Sequence, residues 1–227
     1  IALENPGYIK AKEIFKSMSW DVVSVDMDDE GMSIDILEST DADICYLMPA
    51  NQYPTGVIMP INRRRELISW CYEKSDRYII EDDYDSEFRF VGKPIPAMQG
   101  LDPSKIIYMG TFSKAIAPAI RVAYMVLPEK LMEEYESKLK FLSCTVPRSD
   151  QNILETFIKE GYFERHLNRM RTNYRLKRDA LIESIINNLP QAKVFENNSG
   201  LHILLTLEYM SEEEIINCGR LAGIRLY

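Results

Sequence analysis

No stretch of this chain approaches the unbroken apolar length of a membrane-crossing helix, so no such helix is expected in this segment. Positive charge is also in short supply. The 27 Lys and Arg against 35 Asp and Glu leave a net charge of −8, which argues against this segment gripping nucleic acid, because phosphate contacts need clustered cations. One basic stretch exists (Arg165, Arg169, Arg171, Arg175, Lys177, Arg178), but its spacing spreads charge round a helix with acids nearby and reads as a solvated face. Histidine is scarce, with only His166 and His202. The four cysteines, Cys45, Cys71, Cys144 and Cys218, show no paired metal-ligand spacing, so no zinc site is expected. Cys45 and Cys71 sit in apolar company as buried thiols. Free thiols without an export signal point to the cytoplasm. There is no initiator Met: Ile1 falls inside an apparent strand, and the chain reads as a fragment.

What is present is an ordinary globular composition, 46% hydrophobic and 27% charged over 227 residues, enough for an ample core. Short apolar runs alternate with helical patterns, the signature of an α/β protein with a mainly parallel sheet covered by helices on both faces. Strands are expected at residues 1–3, 22–25, 44–48, 78–80, 105–109 and 121–127. A helix from Tyr8 to Met18 places Ile9, Ile14, Phe15 and Met18 inward, and another runs from a cap at Asn62 to Ser75. Further helices are expected at 131–141, 150–159 and from Gly161 to about 188. Short strands at 193–196 and 201–207, a helix at 211–221 and a strand at 224–227 then form a smaller layer. The division is a large domain, 1–165, lacking its N-terminal part, and a connecting helix with a truncated small domain, 166–227.

Two runs carry the chemistry. Gly110-Thr111-Phe112-Ser113-Lys114 through Arg121 follows one strand, and Glu81-Asp82-Asp83-Tyr84 ends another. Both lie where open α/β sheets bind ligands. Together they supply what pyridoxal phosphate requires: a Schiff-base lysine (Lys114), hydroxyls (Thr111, Ser113) and a guanidinium (Arg121) for phosphate, a carboxylate (Asp82) for the pyridine nitrogen and a phenol (Tyr84) for the phenolic oxygen. Asp83 is the rival of Asp82, but strand alternation lets only one face the cofactor, and Tyr84 shares the side of Asp82. Asn51 and Gln52, in the loop before Pro54-Thr55-Gly56, can reach the same phenolic oxygen, although a plain Pro-Gly turn would look alike. Tyr8 can stack on the ring or simply pack at a helix start.

The segments ENPGY (4–8), PANQYPTG (49–56), EDDYDSEFRF (81–90), GTFSKAIAPAIR (110–121), RHLNRMRTNYRLKRDAL (165–181) and GLHILL (200–205) resemble the aminotransferase-like domain of MocR-type (GabR-like, GntR-family) regulators. That group joins a winged-helix DNA-binding region to a fold-type I pyridoxal phosphate domain. The resemblance implies the same roles for Lys114, Asp82, Tyr84, Tyr8, Thr111, Ser113 and Arg121. Asn51 stands where many relatives have His, which leaves the polar role of that loop open. The resemblance further implies a homodimer, an amino-acid-like ligand, and DNA contact only through a winged-helix region outside this chain. It also implies a Gly-rich phosphate turn before Ile1 and a carboxylate-binding arginine after Tyr227, so that the chain alone would hold the cofactor weakly or not at all. The alternative is a metabolic aminotransferase acting on an amino acid and a 2-oxo acid. A third reading, a structural module that has lost the cofactor, conflicts with the intact set of polar groups.

Overall fold

The computed structural model describes residues 1–92, 96–195 and 199–227. The chain opens with β1 (Ala2–Asn5), α1 (Ile9–Ser17), β2 (Val23–Asp28), β3 (Gly31–Met32), α2 (Ile34–Glu38) and β4 (Ile44–Leu47). Next come α3 (Ile61–Tyr72), β5 (Tyr78–Asp83), β6 (Ile106–Thr111), α4 (Phe112–Ala115) and β7 (Ala123–Val126). The remainder is α5 (Glu129–Leu139), α6 (Arg148–Lys159), α7 (Tyr162–Asn188), β8 (Ala192–Phe195), β9 (Leu204–Leu207) and α8 (Glu212–Leu221).

Seven strands make one sheet in the order β3-β2-β1-β4-β5-β6-β7. The five inner strands run parallel, and the outer strands, β3 on β2 and β7 on β6, are antiparallel. Strand alternation sorts the side chains to two faces. Ala2, Cys45, Leu47, Ile79 and Ile106 pack beneath Leu67, Trp70 and Cys71 of α3. Leu3, Tyr46 and Ile80 take the opposite face with Ala11 of α1, joined by Phe15 and Tyr84. Burial on both faces is why β4 and β5 read as continuous apolar runs.

Two arginines of α3 set the loops at the strand ends. Arg63 donates to Asp28 at 2.8 Å and to the Met32 carbonyl at 2.7 Å, which fastens α3 to the β2–β3 turn. Arg64, buried, donates to the carbonyls of Met59, Pro49 and Pro96 at 2.7–3.0 Å. These bonds satisfy the carbonyls that flank the 49–59 loop and so fix its course.

Several expectations are corrected. α1 buries Ala11 and half-buries Phe15, whereas Ile9, Ile14 and Met18 are exposed, because the contacting stripe runs along positions 11 and 15. α3 begins at Ile61 after Pro60, whose lack of an N–H suits a helix entry, so Asn62 lies inside the first turn and caps nothing. Residues 224–227 form no strand; after α8 the backbone turns at Gly223, and Ile224 N–H bonds to the Gly219 carbonyl instead of a ladder. β9 starts at Leu204 rather than 201, and Glu196, expected in β8, lies outside the described residues. The short β3 and α2 have no counterpart in the sequence reading; two and five residues are too few to show a period.

Candidate functional site

The C-terminal ends of β4, β5 and β6 bring the predicted residues toward one region. β4 pairs Tyr46 with Ile80, and alternation then puts Tyr46, Ile80, Asp82 and Tyr84 on one face. Asp83 turns to the other face, where it accepts from Tyr108 at 2.8 Å and from the Ser86 hydroxyl at 2.6 Å. The choice between the two aspartates is therefore made by the pleat, and Asp82 is the one beside Tyr84.

The Asp82 Oδ2 accepts a hydrogen bond from the Tyr46 hydroxyl. Burial raises the Asp82 pKa, the Tyr46 donor lowers it, and the neighbouring charge of Asp83 raises it again. A cationic ring N–H placed against Asp82 would relieve that desolvation. Tyr84 accepts from Asn51 Nδ2 at 3.1 Å, which leaves its own proton to be donated elsewhere. Asn51 is buried, and its Nδ2 also faces both carboxylate oxygens of Asp85 at 3.0 and 3.1 Å.

Gln52 turns away from this group. Its Nε2 donates to the Pro6 carbonyl at 2.8 Å, and its Oε1 accepts the Thr55 N–H at 3.1 Å, so its amide is committed to shaping the loop. Tyr8 and Tyr53 meet in a T-shaped pair with ring centroids 6.0 Å apart, and Tyr8 is 38% exposed.

On the β6 side, Thr111 accepts the Ser113 N–H at 3.1 Å and donates to the Val122 carbonyl at 3.2 Å. Its hydroxyl caps the short turn that carries Lys114. Ser113 is half-buried and its hydroxyl makes no hydrogen bond among the described residues. Lys114 is exposed, makes no hydrogen bond or ion pair among the described residues, and lies within electrostatic reach of Asp85 and His202. Arg121 is also exposed and holds a left-handed backbone, φ 50° and ψ 35°. Such a conformation in a non-glycine residue costs of order 1–3 kcal/mol and gathers at functional sites. This donor set fits pyridoxal phosphate: an amine, a guanidinium and a hydroxyl that have no partner among the described residues, a desolvated carboxylate, and a phenol with its proton unassigned.

The sequence reading does not single out Tyr46, Glu4, Asp85, Gly200 or His202. Glu4 is buried, its Oε1 has no partner among the described residues, and burial pushes its pKa up to about 7 against the lowering effect of the Met48 N–H and Gln52. His202 Nε2 lies 3.1 Å from the Pro54 carbonyl, which can only accept, so that nitrogen carries the proton. A lone tyrosine in an aliphatic strand and a second acid following Asp82-Asp83-Tyr84 are the signals that were available.

Fold and site together define a fold-type I, aminotransferase-like α/β protein. The α-aminoadipate aminotransferase LysN of Thermus thermophilus, solved with N-(5'-phosphopyridoxyl)-L-leucine, superposes with a TM-score of 0.86 at 25% identity, over 99% of this chain and 60% of that one. The uncharacterized HTH-type transcriptional regulator YhdI of Bacillus subtilis (strain 168) is 41% identical over the whole of this chain and 49% of its own length. The probable rhizopine catabolism regulatory protein MocR of Rhizobium meliloti is 33% identical over 94% of this chain and 44% of its own. The chain is similar over its whole length to one part of MocR-type HTH regulators and spans about half the length of the curated relatives it matches. No family model matches it. No helix among the described residues is long and apolar enough to cross a membrane.

Proposed function

We propose that this chain holds pyridoxal 5'-phosphate on Lys114 and is the ligand-sensing part of a DNA-binding regulator. The observation that carries the reading is the placement of Lys114, Asp82 and Tyr84 at the C-terminal ends of the neighbouring strands β5 and β6, with Asp82 and Asp83 on opposite faces of the pleat. When bound, the cofactor supplies an aldehyde for amines and an electron-withdrawing ring.

The residues of this chain do the rest. Asp82 holds the pyridine N–H while Tyr46 orients its carboxylate. Tyr84 donates to the phenolic oxygen, and Tyr8 covers the ring. Ser113 and Arg121 hold the phosphate, with Thr111 building the turn beneath them. Lys114 would supply the amine that tethers the cofactor through its aldehyde, and an amino-acid-like ligand would compete for that tether. The loss of that tether alters the geometry relayed to a winged-helix region elsewhere in the protein. The large domain, 1–165, and the small one, 166–227, are the two bodies whose relation would change, in a cytoplasmic homodimer.

The test is exposure of the full-length protein to pyridoxal phosphate and candidate amino acids, with and without an oxo acid. A regulator shows one exchange event and a change in DNA affinity. The second reading, a metabolic aminotransferase, is favoured by the intact polar set and by the likeness to LysN, and it requires sustained turnover. Absence of any Lys114-dependent cofactor binding would overturn both.

A further inference from the structure

Asp85 stands one residue beyond Tyr84 and is 1% exposed, with no cation among its hydrogen-bond partners. Among the described residues its carboxylate is met by one side chain, the Asn51 amide, which approaches both oxygens. An amide can be turned either way, and its hydrogen-bond partners decide which. An ionised carboxylate accepts only, so Asp85 in its charged form requires that Nδ2 face it rather than Oδ1. The two Nδ2 protons are then fully assigned, one shared by the Asp85 oxygens and one donated to the Tyr84 hydroxyl. The consequence appears on the opposite atom, because Asn51 Oδ1 is buried with no partner among the described residues. Accepting from Asn51 prevents Tyr84 from directing its own proton there.

A strap from the small layer closes this arrangement. Ser199 bridges to Arg89, Gly200 N–H donates to the Phe88 carbonyl at 3.0 Å, and His202 meets the Pro54 carbonyl. Gly200, at φ +84°, lies so near that a Cβ there would collide with Asn51 Nδ2 and sit 3.0 Å from Asp85 Oδ2. Burial pushes the Asp85 carboxyl up to about 7, the Asn51 donor opposes it, and Asp83, Lys114 and Glu87 are the charges within reach.

We propose that Asp85 is a positioning residue that locks the Asn51 amide, so that Tyr84 keeps its proton for the phenolic oxygen of the cofactor, and that the Gly200 strap holds this lock closed. The assignment rests on the pyridoxal phosphate reading. With Asp85→Asn, two amides face each other and Asn51 is free to turn. Its Oδ1 then takes the Tyr84 proton away from the cofactor.

The experiment follows the pH midpoint of the visible band of bound pyridoxal phosphate in the full-length protein. A hydrogen bond donated to the phenolic oxygen stabilises its negative charge and lowers that midpoint. Tyr84→Phe is expected to raise the midpoint by about one pH unit, the size of one charge-assisted hydrogen bond. Asp85→Ala and Gly200→Ala are expected to raise it in the same direction, and Asp85→Asn, of unchanged shape, should do so even if the alanine variants fold poorly. In a Tyr84→Phe background the Asp85 variants should add nothing. An unmoved midpoint in Asp85→Asn, or a shift that persists in full without the Tyr84 hydroxyl, overturns the assignment while leaving the cofactor reading intact. A wild-type protein without a Lys114-dependent band overturns both.

Discussion

On the β4–β5 side of the site, Tyr46 holds Asp82 and Asn51 holds Tyr84 and Asp85 through hydrogen bonds, whereas on the β6–β7 side Lys114 and Arg121 stand exposed, with no hydrogen bond or ion pair among the described residues. The same contrast runs through the scaffold. Leu47, Leu67 and Ile79 have no exposed surface, while every residue of β7 is exposed, Tyr124, Met125 and Val126 among them. One wall is therefore organised by this chain before any ligand arrives. The other presents its cations to whatever occupies the site.

Substitutions at matched positions break that comparison most sharply. Leu67→Ala, under the centre of the sheet, is expected to lower unfolding free energy by about 2–5 kcal/mol in urea titrations, since cavity and transfer losses add. A loss below about 1 kcal/mol would mean that the packed wall is not where stability resides.

pH separates the two walls next. Glu4 and Asp85 titrate near 7 in the fold because burial disfavours their charge. Their folded pKa values lie above the unfolded ones, so the folded state binds more protons, and stability falls as pH rises from about 4 to about 7. Each group contributes on the order of 3 kcal/mol to that decline. Glu4→Gln should flatten part of it when melting is followed across that range, and an unchanged slope would remove Glu4 from the account.

On the exposed wall, Arg121→Lys exchanges a fork for a point charge and should weaken pyridoxal phosphate binding roughly tenfold without altering the melting temperature of the cofactor-free protein. The smallest effect is expected at Met125→Ala, within about 0.5 kcal/mol in the same urea experiment, as for ordinary surface changes.

The legibility of the molecule follows the same division. β4, β5 and β6 are plain in the sequence because burial on both faces demands unbroken apolar runs. Lys114, Asp82 and Tyr84 are plain because their chemistry is dense and falls at strand ends. The face of α1 is not plain, because Ile9, Ile14 and Met18 make as good a stripe on paper as Ala11 and Phe15, and only the neighbouring strands decide between them. Asp85 is hidden for a related reason. Its burial is imposed by Asn51 and Gly200, both distant in sequence, and nothing local separates it from a turn acid.

The central claim is that Lys114 carries pyridoxal phosphate. It is tested most directly by borohydride reduction of the full-length protein with the cofactor, followed by peptide mapping. The account predicts one phosphopyridoxyl group, on the peptide containing Lys114, and its loss in Lys114→Ala. A label on another lysine, or none on a folded protein, would contradict it.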